Sequence, residues 1–271
     1  MHTHLAEWDL ATIDRFWDHM SQKPEPGSYF SYFCREGLTK FLDHTGHFKG
    51  CVLDYGCGPG YLLEYMAQIR PENTYTGVDF SLNSITKANS KLQGQSNWRG
   101  AHHIQSLPTS FDREFDVVTC IEVIEHLSDD YLTATLAEIR RVLRPEGTCL
   151  FTTPFNENLE DNRVFCPFCA TSFHGMQHLR TWNIQTLTEV LKKNGFDVIY
   201  CNHLNFEQFQ ASYRYWDSWK DVSPRSLIRW ILDKKAILLD KVSPRQFPEG
   251  REFRRLAVEQ QHLCAVVSPT P

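Results

Sequence analysis

No stretch of this 271-residue sequence approaches the roughly 18–20 consecutive apolar residues that a bilayer-spanning helix needs. The first residues, Met1 to Trp8, lack the basic start and apolar run of a secretory signal. Nine cysteines, an odd number in a chain this long, then argue against a secreted disulfide framework and for a reducing, cytoplasmic setting. Basic charge is also short. Lys and Arg number 28 against 33 Asp and Glu, a net charge of −5, so the chain as a whole is not a basic nucleic-acid binder. Hydrophobic residues at 41% and charged residues at 23% exclude disorder, collagen-like repeats and coiled coil. What stands out instead is the count of nine cysteines and twelve histidines.

The first 48 residues read as a helical cap. Trp8, Ile13, Phe16 and Trp17 fall close to helical spacing, 23–28 breaks the pattern, and Tyr29, Phe30, Phe33, Leu38 and Phe41 mark a second helical stretch. From residue 49 to 206 short apolar runs alternate with helical patterns. Strands are expected at 51–54, 75–79, 101–105, 115–120, 148–153 and 196–200. Helices are expected at 61–69, 82–92, from Ser128 to about Leu143, and at 184–193. Ser128 is the expected cap of the third helix, with Pro145 and Gly147 ending it. Residues 207–260 interrupt the alternation and read as a helical insertion, and 262–267 as a last, edge strand within 261–271. Strands alternating with helices imply one α/β domain over 1–271, with ligands bound at the carboxyl ends of the strands.

The strongest local signal is Asp54-Tyr55-Gly56-Cys57-Gly58-Pro59-Gly60 between the first strand and the first helix of that region. Glycines let the backbone turn tightly and approach a ligand. Asp79, at the end of the next strand, can accept hydrogen bonds from both ribose hydroxyls of a nucleoside. With Gly77-Val78-Asp79-Phe80-Ser81, Phe115-Asp116-Val117-Val118 and Leu143-Arg144-Pro145-Glu146-Gly147, this loop resembles that of the class I S-adenosylmethionine-dependent methyltransferases. The resemblance covers about residues 50–200 and the last strand. It implies a Rossmann-like sheet, mostly parallel with an antiparallel last strand. It also implies that Asp54, Gly56, Cys57, Gly58 and Gly60 hold the methionine end of S-adenosylmethionine and Asp79 its ribose. Phe80 would flank the adenine, Gln105 or backbone groups would meet the base, and Cys120 would border the cofactor. The acidic residue that members often carry after the third strand is replaced here by Ala101-His102-His103-Ile104-Gln105.

After the fourth strand comes Glu122-Val123-Ile124-Glu125-His126. The Asn/Asp-Pro-Pro-Tyr/Phe motif of adenine and glutamine N-methyltransferases is absent from this place. On a helical turn, positions i, i+3 and i+4 share a face, so Glu122, Glu125 and His126 could converge on magnesium, manganese, iron or zinc. His126 as a metal-free general base is the other reading. Together with the downstream His178-Leu179-Arg180-Thr181-Trp182, the pattern is similar to that of the small-RNA terminal 2′-O-methyltransferases, and a related set occurs in ubiquinone-biosynthesis O-methyltransferases. That resemblance implies His178 as fourth ligand, and a cation that binds two neighbouring oxygens of the acceptor and lowers the pKa of the attacked hydroxyl.

Cys166-Pro167-Phe168-Cys169 followed by His174 and His178 is C-x2-C-x4-H-x3-H, and its first part has zinc-knuckle spacing. Two assignments stay open. Cys166, Cys169 and His174 form a structural zinc staple while His178 faces the active site, or His178 joins the staple and Glu122, Glu125 and His126 do acid–base work.

The insertion is the one basic stretch, with 11 Lys/Arg against 8 Asp/Glu over 207–260. Residues 227–239 read as an amphipathic helix that would suit a lid or peripheral membrane contact. The expected activity is S-adenosylmethionine-dependent O-methylation of a hydroxyl with a neighbouring oxygen, on a sugar, glycan or other small-molecule natural product. The alternatives are an RNA 3′-terminal 2′-O-methyltransferase, a quinone-type O-methyltransferase, and a non-catalytic zinc-stabilised cofactor-binding scaffold.

Overall fold

A computed structural model describes residues 4–22, 29–204, 206 and 262–270. Its elements run β1 (His4–Leu5), α1 (Leu10–Ser21), α2 (Phe30–Phe33), α3 (Arg35–Thr45), β2 (Cys51–Tyr55), α4 (Tyr61–Ile69), β3 (Thr74–Asp79), α5 (Leu82–Leu92), β4 (Trp98–His103), β5 (Phe115–Ile121), α6 (Asp129–Val142), β6 (Leu143–Pro154), β7 (Arg163–Phe165), β8 (Thr171–His174), α7 (Ile184–Lys193), β9 (Phe196–Leu204) and β10 (His262–Pro269). The helical insertion expected over 207–260, with its 227–239 segment, and the break at 23–28 lie outside the described residues. No helix among the described residues is long and apolar enough to cross a membrane.

The main sheet has seven strands in the order β4-β3-β2-β5-β6-β10-β9. Only β10 runs against its neighbours β6 and β9; β4, β3, β2, β5 and β6 are parallel. This is the Rossmann-like, mostly parallel sheet with an antiparallel last strand. Successive side chains of a strand face opposite sides, so adjacent apolar pairs feed two cores. Val52, Val117, Leu150 and Cys264 pack with Leu38, Phe41, Leu62, Leu63 and Met66 on one side. Leu53, Val118, Phe151 and Ala265 pack with Leu132, Leu136, Ile139, Leu187 and Leu191 on the other.

Three expectations are corrected. β10 is not an edge strand. Leu263 to Val267 are buried on both faces, so it lies inside the sheet, and β9, whose burial alternates, takes the edge. The strand expected at 101–105 runs instead from Trp98 to His103, because Trp98 already pairs with Tyr75 and a register shift past Arg99 brings Gly100 opposite Thr76. Ser128 occupies the cap position of α6 without a side-chain cap bond; Asp129 and Asp130 in the first turn carry the favourable dipole interaction. A second, three-stranded sheet, β1-β8-β7, was not expected, since strands of two to four residues carry no usable periodicity.

Candidate active site

The glycine loop leaves the carboxyl end of β2, in the middle of the sheet. Its Gly56 and Cys57 amides donate to the Val78 carbonyl of β3 at 2.8 and 3.0 Å, which fastens the loop to the neighbouring strand. Gly56 has φ +77°, and a Cβ there would sit 2.4 Å from Val123 Cγ2, so only glycine fits. The Gly58 and Ser81 amides donate to the two oxygens of Asp79, both at 2.8 Å. One carboxylate thus ties together the two loops expected to embrace the cofactor, with lone pairs left for further donors. Burial raises the Asp79 pKa against the pull of those amides and of His103.

Asp54 is buried at the end of β2 and accepts from the Thr119 hydroxyl at 2.7 Å. Burial pushes its carboxyl up to about 7, with the Thr119 bond opposing. Thr119 is the β5 residue that meets this loop. Cys120, expected at the cofactor, instead points into the core with Leu53 and Tyr55. The Cys57 side chain also packs inward, beside Gly77, so only the backbone of Cys57 belongs to the loop surface. Phe80 is half-buried, with its carbonyl 2.7 Å from His103 Nε2. Gln105 is exposed just after Ile104, whose amide donates to the Asp79 carbonyl at 2.9 Å.

At the carboxyl end of β5 the chain does not continue as a helix. Glu122 takes φ +53°, and Val123 to Leu127 form turns. Glu122 is thereby separated from its expected partners. Its Oε1 accepts from Thr152 at 2.8 Å and its Oε2 lies 3.4 Å from His262 Nε2. Burial, then the nearby Glu125, raise its pKa. Glu125 and His126 do converge with His178: their ligand atoms lie within 4.8 Å of one another. Glu125 is fully buried. Its Oε2 accepts from Thr153 at 3.0 Å, while its Oε1 has no hydrogen-bond partner and stands 3.6 Å from His126 Nε2. Burial pushes the Glu125 carboxyl upward and lowers His126 to about 3, so the imidazole is neutral near pH 7. His126 Nδ1 faces the Gln177 carbonyl at 3.4 Å; a carbonyl only accepts, so Nδ1 carries the proton and Nε2 offers its lone pair toward Glu125. Gln177 is itself buried, donating to the His126 carbonyl and accepting from Trp17 Nε1, both at 2.8 Å.

A second group, unforeseen in the sequence, adjoins the first. Ligand atoms of Glu157, His174 and His178 also lie within 4.8 Å of one another. His178 is therefore brought to both groups and to neither thiol. His174 Nδ1 accepts from the His178 and Met176 amides at 3.1 and 3.4 Å, which puts the His174 proton on Nε2, 3.4 Å from Glu157 Oε1. That nitrogen has no lone pair to give a metal. Cys166 and Cys169 sit at the tip of the β7–β8 hairpin, closed by Cys166 N to Thr171 O and Ala170 N to Cys166 O, each 2.9 Å, with Ala170 left-handed at φ +57°. The expected staple of Cys166, Cys169 and His174 is thus not assembled: among the described residues no metal-competent group includes a thiol. Thr171 and His174 are three residues apart in β8, about 10 Å along the strand, which keeps the imidazole from the tip.

A glycine loop and carboxylate at the ends of β2 and β3, under a seven-stranded sheet with one reversed strand, match a known family. The family model described as a methyltransferase domain fits residues 26–200. The chain belongs to that family. Among curated methyltransferases it is similar to the ubiquinone biosynthesis O-methyltransferase of Aromatoleum aromaticum, 34% identical over 111 residues, 40% of this chain and 45% of that protein. The corresponding enzyme of Thiobacillus denitrificans is 35% identical over 154 residues, 55% of this chain and 65% of that protein. The matched stretch thus spans less than two thirds of the length of either of these curated relatives. Among solved structures, the methyltransferase bound to the Trm112 activator of Haloferax volcanii superposes with TM-score 0.60 at 16% identity, over 94% of this chain and 98% of that one. A DhpI complex with SAH gives 0.56 at 16% identity, over 95% of each chain. At these identities the structural likeness is one of fold.

Proposed function

We propose that this protein transfers a methyl group from S-adenosylmethionine to an acceptor hydroxyl that has a second oxygen beside it, with a divalent cation held by Glu125, His126 and His178. The observation that carries the reading is the buried Glu125 Oε1, without a hydrogen-bond partner and 3.6 Å from the lone-pair nitrogen of a neutral His126. A buried polar atom left unpaired costs about 1–3 kcal/mol, and a cation at this point would satisfy it. S-adenosylmethionine supplies an electrophilic methyl on a sulfonium. The cation supplies Lewis acidity toward the acceptor oxygens.

The chain's own residues do the rest. The Asp54–Gly60 loop and Asp79 orient the cofactor from β2 and β3. Glu125, His126 and His178 lie across the carboxyl ends of β5 and β6 from that loop, where an acceptor can meet the methyl in line. Trp17 borders this side through its contact with His126. A sugar, glycan or natural-product diol meets the two-oxygen requirement. So does a quinone-type catechol, and the identity to ubiquinone-biosynthesis enzymes favours including that second class.

The test is a transfer assay on a panel of vicinal diols and catechols, following formation of S-adenosylhomocysteine before and after chelation and with metals restored. Turnover on a two-oxygen acceptor that is lost on chelation and regained with one metal is the expected result. Turnover indifferent to complete metal removal would leave His126 as a general base and end the metal reading.

A further inference from the structure

The group formed by Glu157, His174 and His178 is not explained by cofactor binding or by the Glu125–His126 pair. Glu157 sits in the segment that follows β6, and no spacing in the sequence singles it out. Its Oε2 accepts from His178 Nδ1 and its Oε1 faces His174 Nε2 at 3.4 Å. The His174 and His178 rings are stacked with centroids 4.5 Å apart. The His178 and His126 rings are 4.9 Å apart. The three imidazoles thus form a file, with Glu157 beside its outer two members and Glu125 beside its inner one.

Proton placement decides what this file does. Two backbone amides fill His174 Nδ1, so its Nε2–H points at Glu157. Glu157 meets His178 Nδ1 through Oε2, and a carboxylate accepts hydrogen bonds and does not donate them. His178 must therefore place its proton on Nδ1, toward Glu157, and keep its lone pair on Nε2. His126 is in the same tautomer for a parallel reason, its Nδ1 facing the Gln177 carbonyl. Both imidazoles then keep their lone pairs on Nε2, and that of His126 lies 3.6 Å from Glu125 Oε1. The alternative, a second ion between Glu157, His174 and His178, would need a lone pair on His174 Nε2 and so a proton on Nδ1, against two amide donors.

We propose that Glu157, which bonds His178 Nδ1 through Oε2 and faces His174 Nε2 at 3.4 Å through Oε1, is the positioning residue that fixes the tautomer and ring plane of His178 as a metal ligand. This rests on the reading of Glu125, His126 and His178 as a cation site. It adds that the site has two histidines and one carboxylate, an arrangement that leaves coordination positions open for an acceptor presenting two oxygens. Outer carboxylates bonded to ligand histidines commonly contribute about 10–100-fold to metal affinity.

The experiment measures manganese binding to the full chain by calorimetry, with electron spin echo detection of imidazole nitrogen bound to the ion. Manganese is chosen because it has little affinity for the thiols of Cys166 and Cys169. The wild-type chain is expected to bind one ion with two imidazole couplings. Glu157→Gln is expected to weaken binding by about 10–100-fold and to diminish one of the two couplings, while S-adenosylmethionine affinity and the melting temperature stay near wild type. His174→Phe, which keeps a ring in the stack but removes the N–H donor, is expected to give a smaller loss in the same direction. Wild-type affinity and both couplings retained in Glu157→Gln would overturn the assignment. Two ions per wild-type chain, one of them lost in Glu157→Gln, would also overturn it, since Glu157 would then be a ligand. If the wild-type chain binds no manganese, cobalt or zinc, the cation reading itself fails and this inference goes with it.

Discussion

The indole of Trp17 stands edge-on to the imidazole of His126, with ring centroids 4.7 Å apart at 74°. Trp17 belongs to α1, in the amino-terminal cap, and His126 to the turn after β5. The cap therefore forms part of the wall of the candidate acceptor site. Trp17→Ala removes that ring and the Nε1–H bond to Gln177, and is expected to reduce transfer at saturating cofactor by about tenfold or more. The affinity for S-adenosylmethionine should hardly change. Trp17→Phe keeps the ring contact without the hydrogen bond and should fall between. Steady-state kinetics with calorimetric cofactor binding separates the two effects, and a purely structural cap would instead weaken both together.

Asp54 predicts a pH dependence. Its carboxyl titrates at about 7 in the folded chain, raised by burial, against about 3.9 for an unfolded chain. The folded state holds this proton more tightly, so the contribution to stability is complete below about pH 4 and is lost as pH rises through 7. In the proposed binding mode the cofactor's ammonium group lies beside Asp54 and would favour the ionised form. Cofactor binding below pH 7 should therefore release a proton, and affinity should rise by up to about tenfold per pH unit toward pH 7 and level off above it. Calorimetry in buffers of different ionisation enthalpy counts the proton. Asp54→Asn should bind weakly at all pH values, and a wild-type profile that is flat would remove Asp54 from the cofactor site.

At Gly56 a methyl group has nowhere to go. The residue is left-handed, and the added carbon would lie 2.4 Å from Val123 Cγ2. Gly56→Ala is expected to cost about 1–3 kcal/mol, a fall of several degrees in melting temperature, and to weaken cofactor binding through the displaced loop. Gly94→Ala is the control: it is also left-handed but has no atom within 4 Å of the added carbon, so it should cost the backbone strain and spare the cofactor.

The hairpin thiols make a prediction by contrast. Cys166 and Cys169 are free and presented at a tight tip, whereas His174 has its Nδ1 filled by two amides and its Nε2 turned toward Glu157. A zinc staple through the thiols would draw its remaining ligands from outside the described residues. With no thiol in a metal-competent group among the described residues, elemental analysis is expected to show the same zinc content in Cys166→Ser as in wild type. Zinc lost in Cys166→Ser and retained in His174→Phe would overturn this and give the thiols a staple without His174.

The helices Tyr61–Ile69, Leu82–Leu92 and Ile184–Lys193 are legible to the residue because apolar periodicity and end signals agree. Asn183 and Thr186 even form a reciprocal cap on the last of them. The cofactor loop is legible for a similar reason: several glycines and two carboxylates recur at fixed offsets along alternating elements. The cation group is only half legible. Glu125, His126 and His178 carry a recognisable spacing, but Glu122 does not join them, since one left-handed residue after β5 turns its side chain toward Thr152 and His262. Glu157 carries no pattern at all. Its role arises from a return of the chain that brings residue 178 back beside it, and from tautomers that only three-dimensional hydrogen bonding defines. Thr119 and Cys120 show the same limit at finer scale, because strand phase decides which of two neighbours meets the loop.

Consecutive residues of α1 reach both halves of the site. Trp17 packs on His126, and the next residue, Asp18, accepts a hydrogen bond from the Ser81 hydroxyl, next to the loop that Asp79 organises. One helix therefore touches both the turn that carries His126 and the loop that Asp79 organises. A ligand that shifts α1 from one side shifts it for the other, and such coupling is reciprocal: cofactor should change the affinity for acceptor by the same factor as acceptor changes that for cofactor.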